Sequence, residues 1–204
     1  MYNPTPYAYS ISISLFGQNG LVAKKTYQIG ADSGFTWSNF LEDFFAYSGA
    51  GALLFESQGT STNYKFTVRS EVYNVSSSGT FTTVVPAIEL ASVSVPPPGS
   101  QFFFAMNGGI NVNSFRRTNL GCVNYSSTSM EVLAAALNSS GDIVQEFTFT
   151  MVPFSWKQLP VTAQLSDGLV AWGSLRPITA FMVEVDNTSN DGSYFVATSI
   201  ENLF

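Results

Sequence analysis

The chain has no histidine and one cysteine, Cys122, in 204 residues. Those two shortages remove several chemistries together. A Ser-His-Asp or Cys-His relay needs an imidazole as its base. Ordinary zinc sites need more thiolate and imidazole ligands than one cysteine supplies, and a single thiol forms no internal disulfide. Charge is scarce as well, at 11% of residues against about a quarter in a typical globular domain, so hydroxyls and amides must build the surface. The net charge of -6 is spread without an acidic run, and the adjacent cation pairs are Lys24-Lys25 and Arg116-Arg117. Holding phosphates takes clustered Lys and Arg, so neither nucleic acid nor membrane insertion is an expected mode of binding. Purely apolar runs such as FFFAM at 102–106 are too short to span a bilayer. The opening MYNPTPYAYS has no basic stretch followed by an apolar run, so the export signal of a secreted form is expected outside these residues. Low charge, few cysteines and abundant Ser, Thr and Asn together favour an extracellular or cell-surface location.

What is present is alternation. In YAYSISISLF the residues Tyr7, Tyr9, Ile11, Ile13 and Leu15 fall on one face and Ser10, Ser12 and Ser14 on the other, the pattern of a half-buried strand. GQNG at 17–20 supplies an Asn-Gly dipeptide for a tight hairpin, and LVAKKTYQI runs back. Further strands are read at GALLFES, KFTVRSEVY, TFTTVVPA, FRRTNLGCVN, MEVLAAALN, IVQEFTFTMV, LVAWGS, ITAFMVEV and SYFVATSI, while MNGGINVN reads as a glycine loop. One segment breaks the period. In WSNFLEDFFAYSG the residues Trp37, Phe40, Leu41, Phe44 and Phe45 recur at spacings of three and four, which predicts a helix of two or three turns with Ser38 as its cap and Gly49 at its end. The fold class is therefore all-β, of sandwich type, with one short helix in its first part.

The chain also writes a pattern twice. VYNVSSSGTFTTVV at 72–85 is echoed by VDNTSNDGSYFVAT at 185–198. At a separation of 121, Asn3 matches Asn124, Ile11 matches Val132, Ile13 matches Ala134, Gly20 matches Gly141 and Phe35 matches Trp156. At 117, Gly51 matches Gly168 and Ser57 matches Ser174, and at 113 Val72, Asn74, Gly79 and Phe81 match Val185, Asn187, Gly192 and Tyr194. Gaps confined to loops are what a duplicated β unit keeps, because a slip within a strand turns its core face outward. The expected organisation is a first sandwich at 1–91, a Pro-rich linker at 92–101 and a second sandwich at 102–204, with the counterpart of residues 102–121 falling before Met1. The glycines Gly20, Gly79, Gly141 and Gly192 are expected as turn devices.

The order RTNLG..N, an alternating strand, a Gly turn, P...W.QL or a short amphipathic helix, GAL...S, then SEVYN....GTFTTVVPA resembles the tandem Ig-like β-sandwich repeats of large secreted and surface proteins of bacteria. The resemblance covers both halves and implies a structural or adhesive module rather than an enzyme. Two departures stand out: the first unit lacks its opening strand, and VDNTSNDG lacks the closing VPA.

Candidate sites are few. Asp186, Asn187 and Asp191, with Asn190, could offer oxygen ligands to calcium, but the matching turn YNVSSSG has no carboxylate, which favours a plain Asx turn. Four sequons, at Asn74, Asn124, Asn138 and Asn187, are close to the chance number in so Ser/Thr-rich a chain. Glu71 and Glu184 occupy matching positions, but on separate units they read as solvated strand faces rather than a catalytic pair. Trp172 is the candidate for stacking on a sugar, since Trp37 and Trp156 have core roles to fill. No catalytic residue, cofactor or metal is expected. The function expected is a non-catalytic structural or adhesive module whose partners are copies of itself or adjoining repeats of a longer chain. Strand exchange into a fibre is one mode of assembly, with SIENLF at 199–204 or YNPTPY at 2–7 as donor. The competing reading is a carbohydrate-binding module of a secreted enzyme, with glycans as partners.

Overall fold

The structure is a computed structural model that describes residues 1–58, 65–76, 79–89 and 103–199. The expected linker at 92–101 and most of the donor segment at 199–204 lie outside the described residues.

The described chain is all-β with one short helix. From residue 103 onward two antiparallel sheets face each other. One holds β11 (Ile143–Met151), β10 (Met130–Leu137), β13 (Leu165–Ser174), β8 (Phe103–Val112) and β16 (Thr198–Ser199), in that order. The other holds β12 (Ser155–Pro160), β9 (Arg116–Asn124), β14 (Thr179–Asp186) and β15 (Gly192–Val196). Alternate residues of both sheets meet in one core that includes Ile110, Leu120, Val132, Val170, Trp172 and Met182, the inward set that a period of two produces. MNGGINVN does not form a loop: Met106 to Val112 continue β8, and the ladder to β13 shifts register around Gly168. The positive φ of 75° at Gly109 accommodates the irregularity.

Before residue 90 the described strands form smaller sheets. β2 (Tyr9–Gly17) lies between β3 (Gly20–Ile29) and β5 (Ala52–Gln58). The pairs Ile11↔Ser57 and Ile13↔Phe55 have the same register as Val132↔Ser174 and Ala134↔Trp172. Both hairpins also shift register at matching points, after Leu15 and after Ala136. β1 (Tyr2–Asn3) pairs with β4 (Ser33–Gly34), and β6 (Arg69–Ser76) pairs with β7 (Gly79–Pro86). Helix α1 (Phe40–Phe45) lays Phe40, Leu41, Phe44 and Phe45 against the fully buried Ile11, Ile13 and Leu15.

Several expectations are corrected. The helix is six residues long, shorter than the two or three turns expected. Asn39, not Ser38, stands at its N-cap, and Ala46 ends it at a left-handed φ of 56° before Gly49 is reached. β2 is buried on both faces, with Ser12 at 2% and Ser14 at 3% exposure. Lys24 sits opposite Ser14 on β3 and Glu56 opposite Ser12 on β5, and their 3.4 Å ion pair spans the serine face. In the GQNG turn the central residues are Gln18 and Asn19, and Gly20 takes the positive φ, at 118°. The two similar hairpins are not the same hairpin. β6 and β7 stay paired to Ser76↔Gly79, whereas β14 and β15 close already at Val185↔Gly192 with a longer loop between them. Finally, Trp156 on β12 matches Gly34 on β4, not Phe35, because Ser155 pairs with Asn124 as Ser33 pairs with Asn3.

Candidate functional site

A buried asparagine organises each half in the same way. Asn124 donates its Nδ2 to the carbonyls of Thr128 and Val152, both at 2.9 Å, and its Oδ1 accepts from the Ser126 amide at 2.9 Å and hydroxyl at 2.8 Å. Asn3 donates to the carbonyls of Tyr7 at 2.8 Å and Gly30 at 2.7 Å, and accepts from the Thr5 amide at 2.9 Å and hydroxyl at 2.7 Å. Both asparagines are wholly buried, so every donor and acceptor in these brackets needs its partner. Ser155 closes the second bracket by donating to Val152 O at 2.7 Å, and Ser33 closes the first by donating to Gly30 O at 2.8 Å. The residues before these serines, Phe154 and Asp32, share a positive φ, 52° and 45°. Of the segment YNPTPY, Tyr2 and Asn3 pair within the chain, with β4 and with Thr67. The second bracket seals the Asn124 sequon inside the fold.

The strand leading into each bracket differs. β9 is nine residues long, paired with β12 from Asn119 to Asn124 on one side and with β14 from Arg116 to Val123 on the other. In the first half the corresponding line is Met1 to Asn3. The Met1 ammonium donates to Phe35 O at 2.9 Å, the Phe35 amide donates to Met1 O at 2.8 Å, and Tyr2 exchanges backbone bonds with Thr67 at 2.9 and 2.8 Å. Beside Met1 and Tyr2 an open groove of about 350 Å³ runs between Phe35 and Thr36 on one wall and Thr67 to Arg69 on the other. Among the described residues β6 has β7 as its one ladder partner. Arg69 and Glu71 form a 2.7 Å ion pair above the opening, with side chains 73% and 46% exposed. Farther along β6, the Tyr73 hydroxyl donates to Ser38 O at 3.1 Å. Burial partly desolvates the Met1 ammonium and lowers its pKa.

The residues singled out from sequence fall elsewhere. Trp172 is 2% exposed and donates its indole N–H to Asn107 Oδ1 at 3.0 Å inside the second sandwich, so no ligand reaches its ring while the core is closed. Trp156 is also buried. Trp37 joins Tyr27, Phe35, Phe40 and Phe44 in an aromatic cluster in which Trp37 meets Tyr27 at 72° and Phe40 at 67°, while Phe40 and Phe44 stack at 11°.

The Asx loop is closed by its own polar groups. Asp186 accepts from the Thr188 and Ser189 amides at 2.7 and 2.9 Å, and the backbone bonds of Ser189 and then Thr188 are the main causes holding its carboxyl below the ordinary value. Asp191 accepts from the Gly192 amide at 3.0 Å. Arg117, arriving on β9, donates to the side-chain oxygens of Asn187 and Asn190. The guanidinium thus engages two of the oxygens that a cation would need.

Glu184 is not on a solvated face. Its side chain is 12% exposed, paired with Arg116 and bonded by Asn111 Nδ2 at 3.2 Å. Arg116 and Arg117 do face opposite ways, as neighbours on a strand must. Cys122 is buried against Met151, and burial, opposed by the charge of Lys157, pushes its thiol up to about 12. Of the hairpin glycines, Gly20, Gly79 and Gly141 have positive φ, whereas Gly192 does not and instead meets Thr83, whose hydroxyl donates to Gly192 O at 2.6 Å. The residues lining the groove beside Met1 and Tyr2 are ones that the sequence pattern does not single out.

No family model and no curated protein matches the sequence. A solved structure, that of Thermotoga maritima 1070, is similar at a TM-score of 0.39 and 11% identity, covering 49% of this chain and 94% of its own.

Proposed function

We propose that the chain is a non-catalytic structural or adhesive module of an extracellular bacterial protein, composed of two tandem Ig-like sandwich units that descend from one duplicated unit. The observation that carries this reading is the twin bracket of Asn3 and Asn124, in which donors, acceptors, the closing serine and the positive φ before it recur in chain order. A solitary buried asparagine is a common device. Two with the same partners, each followed by a strand pair of the same register, support common descent. The non-catalytic part draws support from the engagement of the groups that acid-base or nucleophilic chemistry would use. Glu184 is held by Arg116, Glu71 by Arg69, and the Cys122 thiol is buried. The surface location rests on composition, with charge at 11% and one cysteine. The test is immunogold labelling of the producing cells with antibody against this chain: label at the surface or in extracellular material supports the reading, and label confined to the cytoplasm contradicts it.

A further inference from the structure

The part of the chain before residue 90 touches the later sandwich at both outer strands of one sheet. Phe16, next to last in β2, is 2% exposed and meets Phe154 with ring centroids 5.7 Å apart. Beside it, a Cβ at Gly20 would come within 3.3 Å of Pro153 O. Phe154 leads directly into β12, one outer strand of the order β12-β9-β14-β15. At the other outer strand β7 lies beside β15, and the Thr83 hydroxyl donates to Gly192 O at 2.6 Å. The pairs Ser155↔Asn124, Val185↔Gly192 and Val185↔Arg117 set these contacts at opposite ends of β9, and so at diagonally opposite corners of the sheet. One contact would leave a pivot, and a second at the opposite corner removes it.

Gly192 shows how close the approach at β15 is. Its φ lies outside the left-handed region, so the backbone there does not call for glycine. A Cβ on it would nevertheless stand 2.8 Å from Thr83 Oγ1, while Glu184 O and Val183 Cγ1 would lie at an ordinary 3.7 Å. The glycine thus makes room for the other part of the chain. The hairpin of β6 and β7 has little else to lean on. None of its described residues joins either core cluster, and Val72, Tyr73 and Val84 are 62%, 52% and 46% exposed. A two-stranded hairpin by itself is marginal in water. This one is tied to the first part by the Tyr2↔Thr67 bridge at its foot and by the Tyr73 hydroxyl on Ser38 O at 3.1 Å.

We propose that the β6–β7 hairpin is a strap: anchored in the first part, it grips the edge of β15 through Thr83 and Gly192 and, with Phe16 on Phe154, locks the two parts into one stiff body. Tandem units move against each other by default when little surface joins them. Here load and torque pass from one part to the other through side chains as well as through the covalent chain.

The test uses amide nitrogen relaxation and amide hydrogen exchange on the full chain. A single rotational correlation time is expected for β2 and β10, and two separate times would overturn the proposal. Gly192→Ala is expected to speed exchange at Ser70 and Val72 about tenfold or more while Val183 and Glu184 stay protected. Thr83→Ala alone, which leaves β15 untouched, is expected to speed it about threefold or more. In a chain already carrying Thr83→Ala the obstructing oxygen is gone, so adding Gly192→Ala is expected to change exchange by about threefold or less. An equal effect of Gly192→Ala in both backgrounds would place the role of this glycine within the β14–β15 hairpin and overturn the proposal. Exchange at Ser70 and Val72 that neither variant moves would do the same.

Discussion

Glu71 and Glu184 match in the sequence at a separation of 113, yet one side chain is 46% exposed and the other 12%. Backbone pairing does not repeat that match: Tyr2 pairs with Thr67 where Val123 pairs with Thr179, which sets Glu71 against Val183 and turns the two glutamates to opposite strand faces. β9 brings Arg116 to Glu184 and Arg117 to Asn187 and Asn190, and no described strand does this for β6. The same absence accounts for the two hairpins diverging. Arg117 and the Asx bonds of Asp186 hold the second as a wide loop, whereas the first, with Tyr73 at the sequence match of Asp186, stays laddered to Ser76↔Gly79. One strand thus sets the charge pairing and turn type of its neighbours.

The largest effect that sharpens this comparison is expected at the asparagine bracket. Asn124→Ala strips partners from two buried carbonyls and the Ser126 amide, and should cost about 3 kcal/mol or more by chemical denaturation, since each orphaned buried group costs about 1–3 kcal/mol. Asn3→Ala removes the matching bonds from a strand of two residues rather than nine, so a smaller loss is expected. Equal losses would break the comparison. Next comes the turn. Gly79→Val forces a β-branched residue to a φ of 143° and should lower stability by about 1 kcal/mol or more. Unchanged melting would remove the claim that the tight first hairpin depends on that glycine.

A gain is expected on the serine face. Ser12 is buried with its hydroxyl unpartnered among the described residues, while Leu133, its match at a separation of 121, is 42% exposed. Ser12→Ala should therefore be neutral or stabilising by up to about 1 kcal/mol, and a clear loss of stability would show the hydroxyl to be engaged. The smallest effect concerns pH. Asp186 has its pKa lowered from 3.8 by the loop amides. A carboxyl depressed on folding contributes stability above its ordinary value, and that contribution is lost as pH falls through the lowered one. Asp186→Asn should thus shallow the decline of stability below pH about 4, and a steeper decline would reverse the assignment.

Much of this was legible in the sequence because alternation and turn residues are local. The strands at 9–17, 116–124 and 130–137 announce themselves by period. The places where reading failed depend on partners distant in the chain. MNGGINVN has the residues of a loop, but its pairing with β13 makes it a strand. Trp172 looked unexplained until Asn107, on β8, was found to accept its N–H. The serine face of β2 looked solvated because the bridging Lys24 and Glu56 lie on two other strands. The offset of 121 drifts to 122 after the first hairpin of each half, and backbone pairing, not residue identity, reveals it.

The central claim, that β6 is laddered on one side and β14 on both, is tested most directly by residue-resolved amide hydrogen exchange on the intact chain. For β14, paired with both β9 and β15, slow exchange is predicted where both ladders run, at consecutive amides such as those of Val183 and Glu184. For β6 the prediction is alternation, with fast exchange at Arg69, Glu71 and Tyr73 and slow exchange at Ser70 and Val72, whose amides face β7. Slow exchange at every amide from Arg69 to Tyr73 would contradict the account.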